Sequence, residues 1–346
     1  MSATIYDIAK KCNCSIATVS KVFNKTGTIS DKKREEILRV SRELGYLPSE
    51  SARGLAKADK STKMIGVILH IAEDKSIGHY LFSNILNSFR TVVEQQGYDV
   101  AFLSKVANDS PYTYLDKIRS RGFDGVFVIS CDRSDKQINN LFDSECPLVA
   151  FDNDGAGCTF TSNNKEIVSK LVDHIVAKGH RRISYILPHN KGISKVRLEG
   201  FIEGLKRNGI EFDERMVIPG SYFTEKSVKE ETDLALNSGI DPTVIMYPDD
   251  YSAVNAIPYL RKLGLKVPTN ISVTGFDGID IASVMHPSIV TIKQDAKRIG
   301  HEAALALLDL INKKEINQKT VVVPALICNG TSVKNINWGK FYGQKI

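Results

Sequence analysis

From Met64 onward the chain repeats one pattern twice, a short apolar run followed by an amphipathic stretch. The first pass reads strand Met64–Leu69, helix Tyr80–Gln96, strand Tyr98–Leu103, a helix to Arg121, strand Gly125–Ile129, a helix near Ser134–Ser144 and strand Leu148–Phe151, which closes the run. After Ser162 it begins again: helix Lys165–Lys178, strand Ile183–Leu187, helix Val196–Asn208, strand Met216–Ile218, helix Thr224–Asn237, strand Thr243–Tyr247, helix Tyr251–Leu263 and strand Ile271–Phe276. Apolar strands alternating with helices predict parallel sheets joined by crossover helices, one per pass. The fold class expected is therefore α/β, with two doubly wound lobes whose ligands sit beyond the carboxyl ends of the strands.

The first sixty residues differ in kind. They hold twelve Lys and Arg against seven acids, an excess of five out of a net charge of +6 for the 346-residue chain. A short basic head on a near-neutral body fits a polyanion partner, or else a solvated charged surface. Thr4 is placed to cap a helix carrying Ile5, Ile8 and Ala9 to about Lys11, and Asn13 stands where a turn needs a residue tolerant of positive φ. Ser15 caps a second helix with Val19, Val22 and Phe23 inward and Ile16, Ala17, Ser20 and Lys21 outward. Ser30 caps a third, Asp31 to about Leu44, with Ile37, Leu38, Ser41 and Leu44 as its inner stripe and Gly45 ending it. Two short helices and a supporting third predict a helix-turn-helix, whose second helix enters the major groove. There Ile16 and Ala17 can touch thymine methyls, Lys21 a guanine edge or a phosphate, and Thr18 and Ser20 phosphates or base edges. A three-helix protein-binding module is the alternative.

Ser49–Lys57 can form one or two turns of helix, too short to be stable unless docked. Leu55 beside Arg53 and Lys57 can then wedge a minor groove; otherwise the segment is a plain linker.

Thr4-Ile-Tyr-Asp-Ile-Ala, Ser15-Ile-Ala-Thr-Val-Ser-Lys-Val-Phe-Asn24, Leu44-Gly-Tyr-Leu-Pro48 and Ala52-Arg-Gly-Leu55 resemble the signature of the lactose/galactose repressor family of bacterial transcription regulators. So do Ile65-Gly-Val-Ile, Lys178-Gly-His-Arg-Arg-Ile, Arg197-Leu-Glu-Gly-Phe201, Gly275-Phe-Asp277 and Thr291-Ile-Lys-Gln-Asp295 in the body. Cys12-Asn13-Cys14 stands where the family has Ala-Gly-Val, and Lys21 replaces its common Arg, which bears on base preference.

The resemblance implies a helix-turn-helix head at 1–48, a hinge helix and linker at 49–61, and a bilobed core at 62–346 similar to periplasmic sugar-binding proteins. One lobe takes about 62–161 with 293–322, the other 162–292 with 323–340. It implies DNA contacts from Thr4, Ser15, Ile16, Ala17, Thr18, Ser20, Lys21, Asn24, Ser30, Arg34, Tyr46, Ser49, Ala52, Arg53, Leu55, Ala56 and Lys57. It implies effector contacts from Arg197, Asp249 and Asp277, with Asp152 and Asn153 weaker candidates and Leu81, Phe82 and Phe223 as apolar walls. Carboxylates accept from hydroxyls and Arg donates as a fork, which suits a polyhydroxylated or anionic small molecule, a sugar or a phosphorylated or acidic sugar, although polar groups at strand ends also serve as caps and ion pairs.

The expected function is a sequence-specific transcription regulator, a repressor, acting as a homodimer on double-stranded operator DNA under control of a small-molecule effector. A sugar-transport receptor and a regulator controlled by a protein co-effector are the other readings. No enzyme is expected: Asp249 and Asp250 adjoin, and no nucleophile elbow, P-loop or His-Glu-x-x-His occurs. No cofactor and no metal are expected, since Cys12-x-Cys14 lacks a second ligand pair. With no apolar run near about 18 residues and no apolar core at its start, the chain is expected in the cytoplasm, away from membranes.

Overall fold

The computed structural model describes residues 4–24, 26–46, 61–69, 79–104, 110, 112–129, 135–153, 157–188, 191–222, 225–316 and 319–336. The chain forms two compact units, Met1–Met64 with Gly122–Asp124, and the remainder.

In the first unit α1 (Ile5–Lys11), α2 (Ile16–Asn24) and α3 (Asp31–Glu43) enclose a small core of Ile8, Ala9, Cys12, Val19, Val22, Ile37 and Val40. The turn between α1 and α2 passes through Asn13 at φ 45°, and Gly45 ends α3 at φ 65°. Thr4 directs both its N–H and its hydroxyl to the Asp7 carboxylate, at 2.8 and 2.6 Å. Two sequence expectations change. Leu38 is 39% exposed and Val40 is buried, because positions 37, 40, 41 and 44 share one helical face and 38 lies a full residue step away from it. Ser30 starts α3 through its carbonyl, but its hydroxyl makes no cap bond. Further along, Asp124 accepts from Ser61 Oγ and from the Thr62 and Lys63 amides, tying residues 61–63 in place.

The second unit holds two six-stranded sheets. Sheet one contains β1 (Met64–Leu69), β2 (Asp99–Phe102), β3 (Gly125–Ile129), β4 (Leu148–Phe151), β5 (Cys158–Ser162) and β11 (Thr320–Val323), in the order β11-β5-β4-β3-β1-β2. Sheet two contains β6 (Ile183–Leu187), β7 (Val217–Pro219), β8 (Val244–Met246), β9 (Ser272–Asp277), β10 (Val290–Lys293) and β12 (Leu326–Cys328), in the order β12-β10-β9-β8-β6-β7. The helices are α4 (Tyr80–Gln95), α5 (Tyr114–Arg121), α6 (Lys136–Phe142), α7 (Asn164–Ala177), α8 (Gly192–Arg207), α9 (Glu225–Leu236), α10 (Asp250–Lys262), α11 (Asp280–Val284) and α12 (Ala296–Ile311).

Both sheets are doubly wound and parallel, with one exception: β12 runs antiparallel to β10. The sequence pattern also stops too early, since β5 follows β4 and pairs with it. The chain passes between sheets at 162–164, again between β10 and α12, and a third time between β11 and β12. Strands β3 and β4 are buried along their whole length because helices cover both faces of the sheet. Sheet one packs Ile65, Val67, Phe127, Ile129 and Phe151 against Ile85, Phe89 and Leu307 of α4 and α12. Sheet two carries two such cores, one on each face. Each large apolar side chain buried this way contributes about 1.5–3 kcal/mol. Among the described residues no helix is long and apolar enough to cross a membrane.

His180, 1% exposed, gives this unit a pH-dependent stability. Its Nδ1 lies 2.9 Å from Thr243 Oγ1 and its Nε2 2.9 Å from the Lys334 carbonyl. Burial holds the imidazole below its usual range, outweighing the carbonyl that favours the charged form, with Lys178 adding to the depression. A lowered folded-state value means the unfolded chain takes up the proton first. Stability is therefore complete above the ordinary imidazole value of about 6.5 and falls as pH drops below it, by at most about 1.4 kcal/mol per pH unit for one group. Urea denaturation across pH 7.5 to 5 should show this slope, and His180→Gln should flatten it.

Candidate functional site

The exposed face of the first unit is built on α2. Ser15 caps it: its Oγ accepts from the Thr18 amide at 3.1 Å and meets Thr18 Oγ1 at 2.9 Å. Both hydroxyls therefore hold the helix start, and both remain at its amino end, where backbone N–H groups favour anions. Ile16 is 41% exposed, and Ala17 and Lys21 are exposed beside it. The stem of Lys21 lies along Gly27, so the ammonium is carried on a supported arm. Ser20 and Arg34 are half-buried, and Thr4 and Ser30 are exposed. Tyr46 leans on Phe23, ring centroids 5.5 Å apart, so it serves packing as well as surface. Asn24 ends α2. Ser49, Ala52, Arg53, Leu55, Ala56, Lys57 and, in the core, Phe223 lie outside the described residues.

The second unit gathers polar side chains at the carboxyl ends of both sheets. Arg197 of α8 is 6% exposed; its guanidinium lies 3.7 Å over the Phe276 ring, and its Nε donates to Asn164 Oδ1 at 2.8 Å. Among the described residues its terminal nitrogens make no hydrogen bond. Burial works against its charge, and nearby Tyr222, Asp152, Tyr185 and Asp277 outweigh it, so the cation is held more firmly than usual.

Asp277 ends β9 at φ 104°, a conformation that costs a non-glycine residue about 1–3 kcal/mol. Gln294 Nε2 donates to its Oδ1 at 2.9 Å, and His79 Nε2 stands 3.6 Å from Oδ2. Asp152, after β4, also has positive φ, 49°, and accepts from Thr161 Oγ1 at 2.7 Å.

These groups are wired together through the chain crossings. Asn164 Nδ2 donates to Thr161 Oγ1 and to the Ser162 carbonyl, while Ser162 Oγ donates to Gln294 Oε1 at 2.6 Å. One connected network thus joins Arg197, Asp152 and Asp277 across the segments that link the two sheets. Phe82 borders it, its ring 4.7 Å from His79 and 6.4 Å from Phe151.

Three further sequence-predicted residues stand around these groups. Leu81 is 4% exposed and belongs to the core under α4, because it faces the sheet from the first turn of that helix. Asp249 caps α10: its Oδ1 accepts from the Ser252 amide at 2.7 Å and its Oδ2 from Ser252 Oγ at 2.9 Å. Asn153 is buried, its Nδ2 lacking a hydrogen bond among the described residues. Behind Asp249, fully buried Asp250 accepts from the Ile279 amide and so braces the turn that follows Asp277; burial raises its carboxyl well above the usual range.

Residues the sequence reading did not single out are Asn164, Ser162, Gln294, His79, Tyr222 and Phe276. Gln294 and Phe276 stand within quoted motifs, whereas nothing in the spacing of the others marks them. A surface hollow of about 370 Å³ lies elsewhere, lined by Lys165, Glu166, Lys170, Glu203 and Arg207 of α7 and α8. Its charges pair among themselves, Lys165 with Glu203 and Lys170 with Glu166, so it is a neutralised surface and not a competing site.

Comparison with known proteins shows the relationship directly. Residues 4–49 match bacterial regulatory proteins of the lacI family, and 172–333 match a periplasmic binding protein-like domain. The chain is 30% identical over 339 residues to the HTH-type transcriptional repressor PurR of Klebsiella pneumoniae subsp. pneumoniae, covering 94% of this chain and 95% of that one. It belongs to the LacI family. It is 29% identical over 326 residues to the repressor CytR of Escherichia coli K12, covering 91% of this chain and 92% of that protein. The Lac repressor dimer bound to operator and the anti-inducer ONPF shares its fold, with a TM-score of 0.80 at 24% identity over 96% of this chain and all of that one. The regulator CelR in complex with cellobiose gives 0.70 at 22% identity, over 95% and 99%. This LacI-family protein is thus a DNA-binding transcription regulator with an effector-binding core, and its curated relatives are repressors.

Proposed function

We propose that this protein is a cytoplasmic repressor and not an enzyme, a homodimer that grips a pseudo-palindromic operator and is switched by an uncharged sugar or sugar derivative, nucleosides included. The observation that carries the effector reading is Arg197: buried, stacked, fixed at Nε, with its terminal nitrogens making no hydrogen bond among the described residues. Asp152 and Asp277 beside it make the cluster net negative, which favours hydroxyl donors over a phosphorylated or acidic ligand. Phe82 supplies an apolar wall of the kind that packs against a ring. Cellobiose in CelR and ONPF in the Lac repressor are bound by proteins of this fold.

On DNA, residues Thr4–Phe23 read the major groove, Ser30, Arg34 and Tyr46 flank it, and the Ser49–Lys57 segment folds into the central minor groove with Leu55 as its wedge. The effector shifts the two sheets relative to each other and so changes what the two heads gain on binding. Such coupling is typically about 1–3 kcal/mol, a 5- to 150-fold change in affinity.

The test is a selection of random duplexes on the purified protein, then a thermal-shift screen of saccharides and nucleosides with hits retested on the selected DNA. An enriched pseudo-palindrome, affinity falling steeply with salt and a hit altering that affinity are expected. No preference over random DNA would refute the reading.

A further inference from the structure

Glu231, on α9, is a buried acid that none of the foregoing uses; it is 4% exposed. Its Oε1 accepts two hydrogen bonds from Ser221, from the amide at 2.7 Å and from Oγ at 3.0 Å. Its Oε2 is shut away from solvent and has no hydrogen-bond partner among the described residues. Burial raises this carboxyl above its usual range, Asp249 and Glu230 push the same way, and the Ser221 bonds oppose them.

The room for this side chain comes from Gly220. A Cβ there would stand 3.0 Å from Glu231 Cδ, 3.1 Å from Oε1 and 2.5 Å from Ile186 Cγ2. The Gly220 amide donates to the Leu187 carbonyl at 2.9 Å, so the backbone is pinned to the carboxyl end of β6 just before it turns away. The next residue but one is Tyr222. Its hydroxyl lies 3.2 Å from Ser194 Oγ, its charge neighbours are Arg197, Asp152 and Asp277, and it keeps 37% of its surface open.

We infer that Glu231 is a positioning residue of the effector site: it fastens Ser221 to α9 so that Tyr222 stands beside Arg197 as a wall of the cavity. A glycine followed by a serine would leave this short connection between β7 and α9 free to move, and an apolar residue at 231 would strand the Ser221 amide. Stranding that donor releases the segment while both sheets stay folded. Glutamine keeps an acceptor for both Ser221 bonds, although its amide N–H₂ takes the place of Oε2, so it restores the fastening; alanine has no acceptor.

The consequence for ligand binding rests on the proposed effector site, but the fastening does not, and the two are tested separately. In hydrogen exchange on the full-length, ligand-free protein, Glu231→Ala should speed exchange of the Ser221 and Tyr222 amides at least about tenfold, with β6, β8 and β9 unchanged. Glu231→Gln should restore protection. If the alanine variant does not fold, Glu231→Asp, one methylene short of Ser221, should show the same fast exchange. Unchanged exchange in a folded Ala or Asp variant, or no rescue by Gln, overturns the inference. With cytidine and cellobiose as probes, whichever binds the parent should bind Glu231→Ala about tenfold more weakly and Glu231→Gln like the parent; equal affinity for all three would show that the fastening does not position the site. If neither probe binds, the effector reading loses support while the exchange result still decides the fastening.

Discussion

Arg197→Ala should retain operator binding and lose at least about 100-fold in effector affinity, and with it the regulatory response. Hydrogen bonds to a charged donor contribute about 1.5–3 kcal/mol each, and two from one guanidinium fork come to more than two decades in affinity. The side chain also covers Phe276 and holds Asn164, so alanine removes a stacking partner and leaves the Asn164 oxygen without its donor. Arg197→Lys separates these contributions. It keeps a positive charge but loses the planar fork and the stack. Lysine should recover little of the affinity, since the site uses the geometry of the guanidinium as well as its charge. Titration calorimetry with a hit from the thermal-shift screen, paired with fluorescence anisotropy on the selected operator, reads both halves. Parent-like effector affinity in Arg197→Ala would remove the central assignment of the proposed effector site, and lost DNA binding in a folded variant would mean that Arg197 acts on the whole protein.

What sequence reasoning could reach follows from how each feature is encoded. Strands such as Gly125–Ile129 are visible because burial on both faces demands an unbroken apolar run. Strand β5, Cys-Thr-Phe-Thr-Ser, is hard to see because its alternate threonine and serine positions carry polar groups near the site, and Thr161 and Ser162 are both wired into the polar network. The antiparallel β12 depends on a third crossing between sheets, which no local pattern announces.

The site divides in the same way. Arg197 and Asp277 sit in motifs, but Asn164 is an ordinary polar residue at a helix start, and only the crossing of the chain brings it under Arg197. Asp249 shows the other reading of such a residue, a helix cap. A carboxylate after a strand reads as a ligand contact, yet the next helix begins one residue later and draws both of its oxygens to Ser252. Leu81 lies in the core for a geometric reason too. On the first turn of α4 its neighbour Phe82 packs against His79 beside the polar network, and a step of about 100° puts Leu81 in the core.

The head permits a sharper separation, because on α2 two positions two residues apart do opposite things. Ala17 is exposed on the face that would meet the groove, while Val19 is fully buried among Ile8, Ile37 and Val40. Ala17→Glu places a negative charge where phosphates and base edges should lie and disturbs no packing. DNA affinity should fall at least about 100-fold, since close charge repulsion adds to the loss of groove contacts, each worth about 1–3 kcal/mol. The melting of the head should stay within a few degrees of the parent. Val19→Ala should do the opposite, opening a cavity in a small core, seven buried residues among those described, at a cost of about 1–3 kcal/mol. A unit that small has little stability to lose. Its DNA affinity should return when temperature is lowered, whereas that of Ala17→Glu should not. Gel-shift titrations at 10 and 37 °C with the selected operator, alongside circular dichroism melts, distinguish the two. If Ala17→Glu binds as the parent does, α2 is not the helix that enters the groove, and the reading face must be sought on another helix of the head.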